Sequence, residues 1–174
     1  MILLVVDVQK ALTEDEGLYN AGSFIENVTA LISAARKNRT EVIYVQHDAG
    51  EGSGFSVGDE DFEIDSRVAP QQGEKIYIKK INSCFGNKDF AAYMEKQEDK
   101  RLMITGLQTD FCIDATVKSA FEKGYDVIVP EGANSTFDNS CMDGETTCRY
   151  FNKEIWPGCF AECVDMDEAL EMLG

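Results

Sequence analysis

The chain is poor in histidine, proline, tryptophan and basic charge. Of 174 residues one is His, three are Pro and one is Trp, while 16 Lys plus Arg stand against 32 Asp plus Glu for a formal charge of −16. A surface that acidic repels phosphate backbones and anionic headgroups, so neither nucleic acid nor a membrane surface is expected as a partner. Long apolar runs are also missing. The opening Ile2-Leu3-Leu4-Val5-Val6 is too short to span a bilayer, and it follows no basic leader. A first core strand in a cytoplasmic protein is the expectation. No Gly-x-Gly-x-x-Gly follows that run, which removes the main signature of dinucleotide binding. A serine triad would have only His47 as its base. Phosphatases that begin from an apolar strand and an Asp need a second acid two residues on, and Gln9 occupies that place after Asp7.

What is present is ordinary for a globular protein: 44% apolar and 28% charged residues, in a length that suits one domain over 1–174. Strand-like and helix-like segments alternate. Apolar stretches at 2–6, 42–45, 76–78, 101–105, 127–129 and 160–164 read as six strands. Helical spacing appears over 24–37, with Ser23 as a cap, over 113–123 up to Gly124, over 143–153 and over 167–173. This order implies an α/β fold, a mainly parallel six-stranded sheet covered on both faces. The long segment 48–73 is rich in glycine and acid and embeds Phe55 and Phe62. A loop of that length is usually functional.

In parallel sheets ligands bind beyond the carboxyl ends of the strands. Three reactive side chains fall just there: Asp7 after the first strand, Lys79 after the third, and Cys112 after the fourth, at the start of a helix. A cysteine facing the free N–H groups of a helix start, with a lysine nearby, is expected to have a lowered pKa. Its thiolate could attack a carbonyl carbon, the N–H groups could hold the oxyanion, and Asp7 could carry the proton. Each residue has a plain alternative. A buried cysteine is ordinarily structural, Asp7 could cap a turn, and Lys79 could be a surface residue. Cys141, Cys148, Cys159 and Cys163 lack a paired short-knuckle spacing, so free structural thiols are expected there rather than zinc.

At these positions the chain resembles the isochorismatase-like cysteine hydrolases, which include nicotinamidases and N-carbamoylsarcosine amidases. Four motifs match in order: Leu3-Leu4-Val5-Val6-Asp7-Val8-Gln9; Lys79-Lys80-Ile81-Asn82-Ser83-Cys84-Phe85; Thr105-Gly106-Leu107-Gln108-Thr109-Asp110-Phe111-Cys112; and Cys112, Thr116, Ala120 and Gly124 at four-residue steps, then Tyr125. The resemblance implies a Rossmann-like three-layer sandwich and an Asp7-Lys79-Cys112 triad, with Lys79 rather than Lys80 in register. It implies an oxyanion hole from the backbone of Gln108 and Cys112, and a cis peptide at Leu107–Gln108. A small-molecule substrate is expected, and Gln9, His47, Phe55, Phe85 and Phe111 are the candidates to touch it, with Phe62 and Trp156 as further aromatic candidates. The activity implied is cleavage of a small amide, ureide or carbamoyl C–N bond through a thioester-type intermediate on Cys112. Isochorismatase-type vinyl ether hydrolysis is one alternative, and a non-catalytic or thiol-redox protein pairing Cys112 with Cys84 is another. Nicotinamidases bind a metal through an Asp-x-His pair and a further His. With His47 alone that set is incomplete, so neither metal nor other cofactor is expected. A homo-oligomer, dimer or larger, is also implied.

Overall fold

All residues, Met1–Gly174, are described by the computed structural model. The apolar opening forms β1 (Ile2–Val6), buried at every position, because it lies at the centre of a sheet with both faces covered. Around it run β2 (Glu41–His47), β3 (Lys75–Lys79), β4 (Arg101–Leu107), β5 (Asp126–Pro130), β6 (Asn134–Ser135) and β7 (Glu162–Val164). The order is β3-β2-β1-β4-β5-β7, with β6 paired to β4, and every pairing is parallel.

Period-two alternation along β1 divides the core. Leu3 and Val5 face α2 (Ala21–Lys37) and α6 (Met166–Met172), whereas Ile2, Leu4 and Val6 face α3 (Lys88–Glu95) and α4 (Asp114–Glu122). A short α1 (Lys10–Thr13) follows β1, and α5 (Gly144–Tyr150) precedes β7. No helix is long and apolar enough to cross a membrane.

The sheet therefore has seven strands, not six. The extra one, β6, has two residues, both polar and both buried, so it carries no apolar pattern to read. α2 starts at Ala21 after Asn20, whose φ is 49°, rather than from a cap at Ser23. α3 went unread although Asn87 caps it, its side chain accepting from the N–H groups of Asp89 and Phe90. The 143–153 segment is α5 followed by a wider, π-type turn at Phe151–Ile155.

Segment 48–73 folds onto its own chain. Phe62 is 6% exposed, and its carbonyl accepts from both Gln9 Nε2 (2.8 Å) and Gln46 Nε2 (2.9 Å). Val68 enters the core beneath Tyr44, whose hydroxyl donates to the Val68 carbonyl. Phe62 is thus buried by its own chain and gives no physical reason to expect a neighbouring subunit.

β1 is the turning point of the topology: the chain builds outward to β2 and β3, then returns to place β4 on the other side. Loops leave the carboxyl ends of β1 and β4 in opposite directions and open a crevice. There the strands come unusually close. Gly106 has φ 128°, and a Cβ on it would collide with the carbonyl oxygen of Val6 and lie 2.8 Å from the Val6 nitrogen. Only glycine fits.

Candidate active site

Three side chains converge in that crevice. Asp7 leaves β1 with φ 53°, a left-handed conformation that aspartate tolerates better than most residues, and its N–H donates to the Val45 carbonyl (2.8 Å). Lys79 is the last residue of β3 and is level with His47 on β2. Its long side chain runs beneath the end of β2 to Asp7 and is 1% exposed. Cys112 sits in a π-type turn, Thr109–Ile113, which joins β4 to α4. The peptide Leu107–Gln108 just before this turn is cis.

The ammonium of Lys79 is the hub. Its Nζ lies 2.7 Å from Asp7 Oδ2, 3.1 Å from Cys112 Sγ and 3.1 Å from His47 Nδ1. An ammonium has three protons and no lone pair, so three acceptors saturate it. The other carboxylate oxygen, Asp7 Oδ1, is the one buried side-chain oxygen or nitrogen in the protein without a hydrogen-bond partner. Thiol, carboxylate and imidazole atoms all lie within 4.8 Å of one another.

The electrostatics follow from this crowding. Burial pushes the Asp7 carboxyl above its usual range, against the pull of Lys79. Burial would strip Lys79 of its proton, but Asp7, Cys112 and Cys84 outweigh it and its pKa rises. The Cys112 thiol is pushed up to about 12 by burial first and by the Asp7 charge second, with Lys79 only partly offsetting them. The lowered thiol pKa anticipated from a helix start is therefore not found. Cys112 lies inside the wide turn rather than in open view of a helix terminus, and the carboxylate at its side disfavours a thiolate.

A cavity of about 300 Å³ opens over these atoms, lined by Asp7, Leu12, His47, Ala49, Phe55, Asn82, Gln108, Phe111 and Cys112. This is at the small end for ligand sites. His47, Phe55 and Phe111 are thus in the wall, and the Gln108 N–H has no partner elsewhere in the chain. Gln9 and Phe85 are not in the wall. The Gln9 amide is used up behind it, donating to the carbonyls of Phe62 and His47 and accepting from the His47 N–H. Phe85 packs between Phe90 and Tyr125 in a separate, larger cleft of about 480 Å³ against α3. Trp156 is fully buried and donates from Nε1 to Asp114. Lys80 points outward, 3.6 Å from Asp48.

Sequence reasoning missed Leu12, Ala49 and Asn82, since none carries a reactive group to single it out. It missed also the spacing Gly54-Phe55-Ser56-Val57-Gly58, which matches Gly-x-Ser-x-Gly. That segment lies in the loop after β2 rather than on a strand-to-helix turn. Ser56 Oγ donates to Asp48 Oδ1 (2.8 Å), so no nucleophile elbow forms. A brace behind the nucleophile turn was likewise hidden: Thr109 donates to Asn134 Oδ1, and Asn134 exchanges amide hydrogen bonds with Asn152.

The model of the isochorismatase domain matches residues 1–154. This chain belongs to the isochorismatase family of hydrolases. An isochorismatase family protein of Bacillus subtilis (strain 168) is 32% identical over 138 residues, 77% of this chain and 77% of that protein. The ureidoacrylate amidohydrolase of Yersinia enterocolitica is 25% identical over 168 residues, 75% of this chain and 73% of that protein. Among solved structures, a cysteine hydrolase from Pseudomonas syringae pv. phaseolicola superposes with a TM-score of 0.89 at 23% identity, covering 99% of this chain and 91% of that one.

The resemblance to nicotinamidases raises the question of a metal beside the site. Here Asp7, His47 and Cys112 are the one group of donors close enough to share an ion. The Lys79 ammonium already contacts all three, so a second cation does not fit without displacing it. The six cysteines of this isochorismatase-family chain are all free thiols. Cys84 is sealed at 0% exposure and accepts from Thr116 Oγ1, which leaves it no opening to the cavity.

Proposed function

We propose that this isochorismatase-family hydrolase cleaves the C–N bond of a small amide, ureide or carbamoyl compound, with Cys112 as nucleophile. The observation that carries the reading is the Lys79 ammonium bridging Asp7 and Cys112 while Asp7 Oδ1 stands unpartnered beside the thiol. A thiol held near pKa 12 is not a standing thiolate. It becomes one during attack: the proton passes to Asp7, sulfur bonds to the carbonyl carbon, and Lys79 balances the sulfur charge as it develops. The Gln108 N–H, with that of Cys112, donates to the oxyanion. Collapse of the tetrahedral adduct returns the proton from Asp7 to the leaving nitrogen and leaves a thioester. Water, deprotonated by Asp7, then releases the acid and restores the thiol.

The ureidoacrylate amidohydrolase, one of the relatives, is named for cleavage of a bond of this kind, on a substrate that, unlike the one inferred below, carries a carboxylate. A thiol-redox role draws no support from Cys84, which is sealed. Six free thiols suit a reducing compartment, so the cytoplasm is the proposed location. Assembly into a homo-oligomer is part of the proposal; it leans on the edge strand β3, which exposes Ile76 and Ile78. Light scattering tests that, and a mass near 19.3 kDa would refute it. The activity is tested with a panel of amides, ureides and carbamoyl compounds against the parent and Cys112→Ala. Turnover of any of them retained by the variant would overturn the role of Cys112.

A further inference from the structure

His47 is half-buried and has one polar contact for its ring: Nδ1, 3.1 Å from Lys79 Nζ. Because an ammonium can only donate, Nδ1 must accept, and a neutral ring then carries its proton on Nε2. Burial, and next the positive charge of Lys79, lower the His47 pKa, while Asp7 and Asp48 oppose them, so the ring is neutral at physiological pH. Nε2 finds no partner in the protein and is not among the buried unpaired atoms, while the ring lines the cavity. The Nε2–H is therefore free to donate to a molecule held in the cavity above Cys112.

The rest of that wall is informative for what it holds. Leu12, Ala49, Phe55 and Phe111 are apolar, and Asn82, Gln108 and His47 are neutral. The two charges at the floor, Asp7 and Lys79, neutralise each other at 2.7 Å. The nearest further cation, Lys80, is 75% exposed and turned to Asp48. No cation in the wall could pair with a carboxylate on the substrate, and burying an unpaired carboxylate there would be costly.

We infer that His47 is a specificity residue that selects uncharged amides, its Nε2–H donating to an oxygen or nitrogen of the substrate while its Nδ1 anchors Lys79. This rests on the proposed hydrolytic reading for its role in turnover, but its geometry can be probed without turnover. Iodoacetamide and iodoacetate alkylate Cys112 by the same step: sulfur bonds to the methylene carbon, iodide leaves, and the thiol proton passes to Asp7 or water. They differ in carrying a neutral amide or a carboxylate.

Mass spectrometry of the Cys112 peptide after timed exposure to each reagent gives the two rates, and the exposed Cys141 serves as a control in the same sample. The parent should favour iodoacetamide at Cys112 far more than at Cys141. His47→Asn puts a carbonyl oxygen where Nδ1 was but reaches no further, and should lower the iodoacetamide rate at Cys112 roughly fivefold, the worth of one neutral hydrogen bond. His47→Gln places an amide N–H near the Nε2 position and should restore most of that loss. Cys141 should not respond to either change. Equal preference for the two reagents at Cys112 and Cys141 in the parent would overturn the selection of neutral amides. An unchanged Cys112 rate in His47→Asn would overturn the role of Nε2–H. Neither result depends on whether any amide is hydrolysed; loss of the hydrolytic reading would show instead as turnover surviving Cys112→Ala.

Discussion

Strands β1 and β4 carry an aspartate–cation contact at each end, and the two ends behave oppositely. At the amino end Asp99 pairs with the Met1 ammonium and with Arg101 (2.6 Å), and it is 41% exposed. Those hydrogen bonds hold its carboxyl well below the usual range. At the carboxyl end Asp7 pairs with Lys79 at a similar distance, 2.7 Å, yet its carboxyl is pushed up. The difference is water. Where solvent remains, an ion pair adds to a charge that is already comfortable; where it is excluded, the desolvation cost exceeds what one partner returns. A carboxylate in the second condition readily takes a proton, which is the property a base at a thiol requires.

The comparison breaks most visibly if the buried pair is cut. Cys112→Ala should abolish turnover, and Asp7→Asn or Lys79→Ala should each lower kcat by roughly two to four orders of magnitude without adding up, because the three act as one unit. Steady-state kinetics of single and double variants checks this, and additive losses would refute the shared role. Lys80→Ala, whose side chain points away, should leave kcat within about twofold, as for other exposed charges.

Gly106→Ala should be the most damaging change to stability, because the added Cβ meets the backbone of β1. A loss of about 4 kcal/mol or more is expected in urea denaturation, or no folded protein at all. Normal stability would show that β1 and β4 can part at no cost.

A sharper test uses opposite signs. The Asp7 charge raises the Cys112 pKa, so Asp7→Asn should lower it and speed alkylation at pH 8 several-fold while hydrolysis collapses. If both fall together, Asp7 is not holding the thiol protonated. In the parent, a raised Asp7 pKa means that the base form is lost as pH falls through a value above 3.8. The acid limb of kcat/KM should therefore lie above the range of an exposed aspartate, and Asp7→Asn should erase it. Extended EDTA treatment should change neither limb, since the one donor group in the site, Asp7, His47 and Cys112, is already engaged by the Lys79 ammonium; activity lost to EDTA and restored by zinc would reverse that view.

The smallest effect belongs to the exposed end. Asp99→Asn should cost less than about 1 kcal/mol, shrink further in high salt, and leave activity unchanged. A larger loss would mean that exposure does not separate the two ends.

Much of this architecture was legible because it depends on apolar runs and on where they stop. β1, β2, β4 and β5 declare themselves as such, and the rule that ligands gather beyond strand ends then isolates Asp7, Lys79 and Cys112. What escaped lies outside that rule. β6 is polar and two residues long, α3 is short, and Asn82 reaches the cavity from a loop. Gln9 and Phe85 belong to the right motifs but face the wrong way, which a linear sequence does not encode. The thiol pKa was misjudged because a helix start can be read from sequence, whereas the burial of Cys112 and its distance from Asp7 cannot.

The contact at Gly106 also bears on how such a chain can vary. Every amino-acid replacement of a glycine adds at least a Cβ, so position 106 offers no substitution that keeps the β1–β4 approach. Around Gly22, by contrast, a Cβ would meet nothing within 4 Å. In a saturation library selected for folding, survivors should therefore be plentiful at 22 and absent at 106. Drift in substrate preference is left to the cavity wall, whose side chains can change while the crossing of the two strands stays fixed.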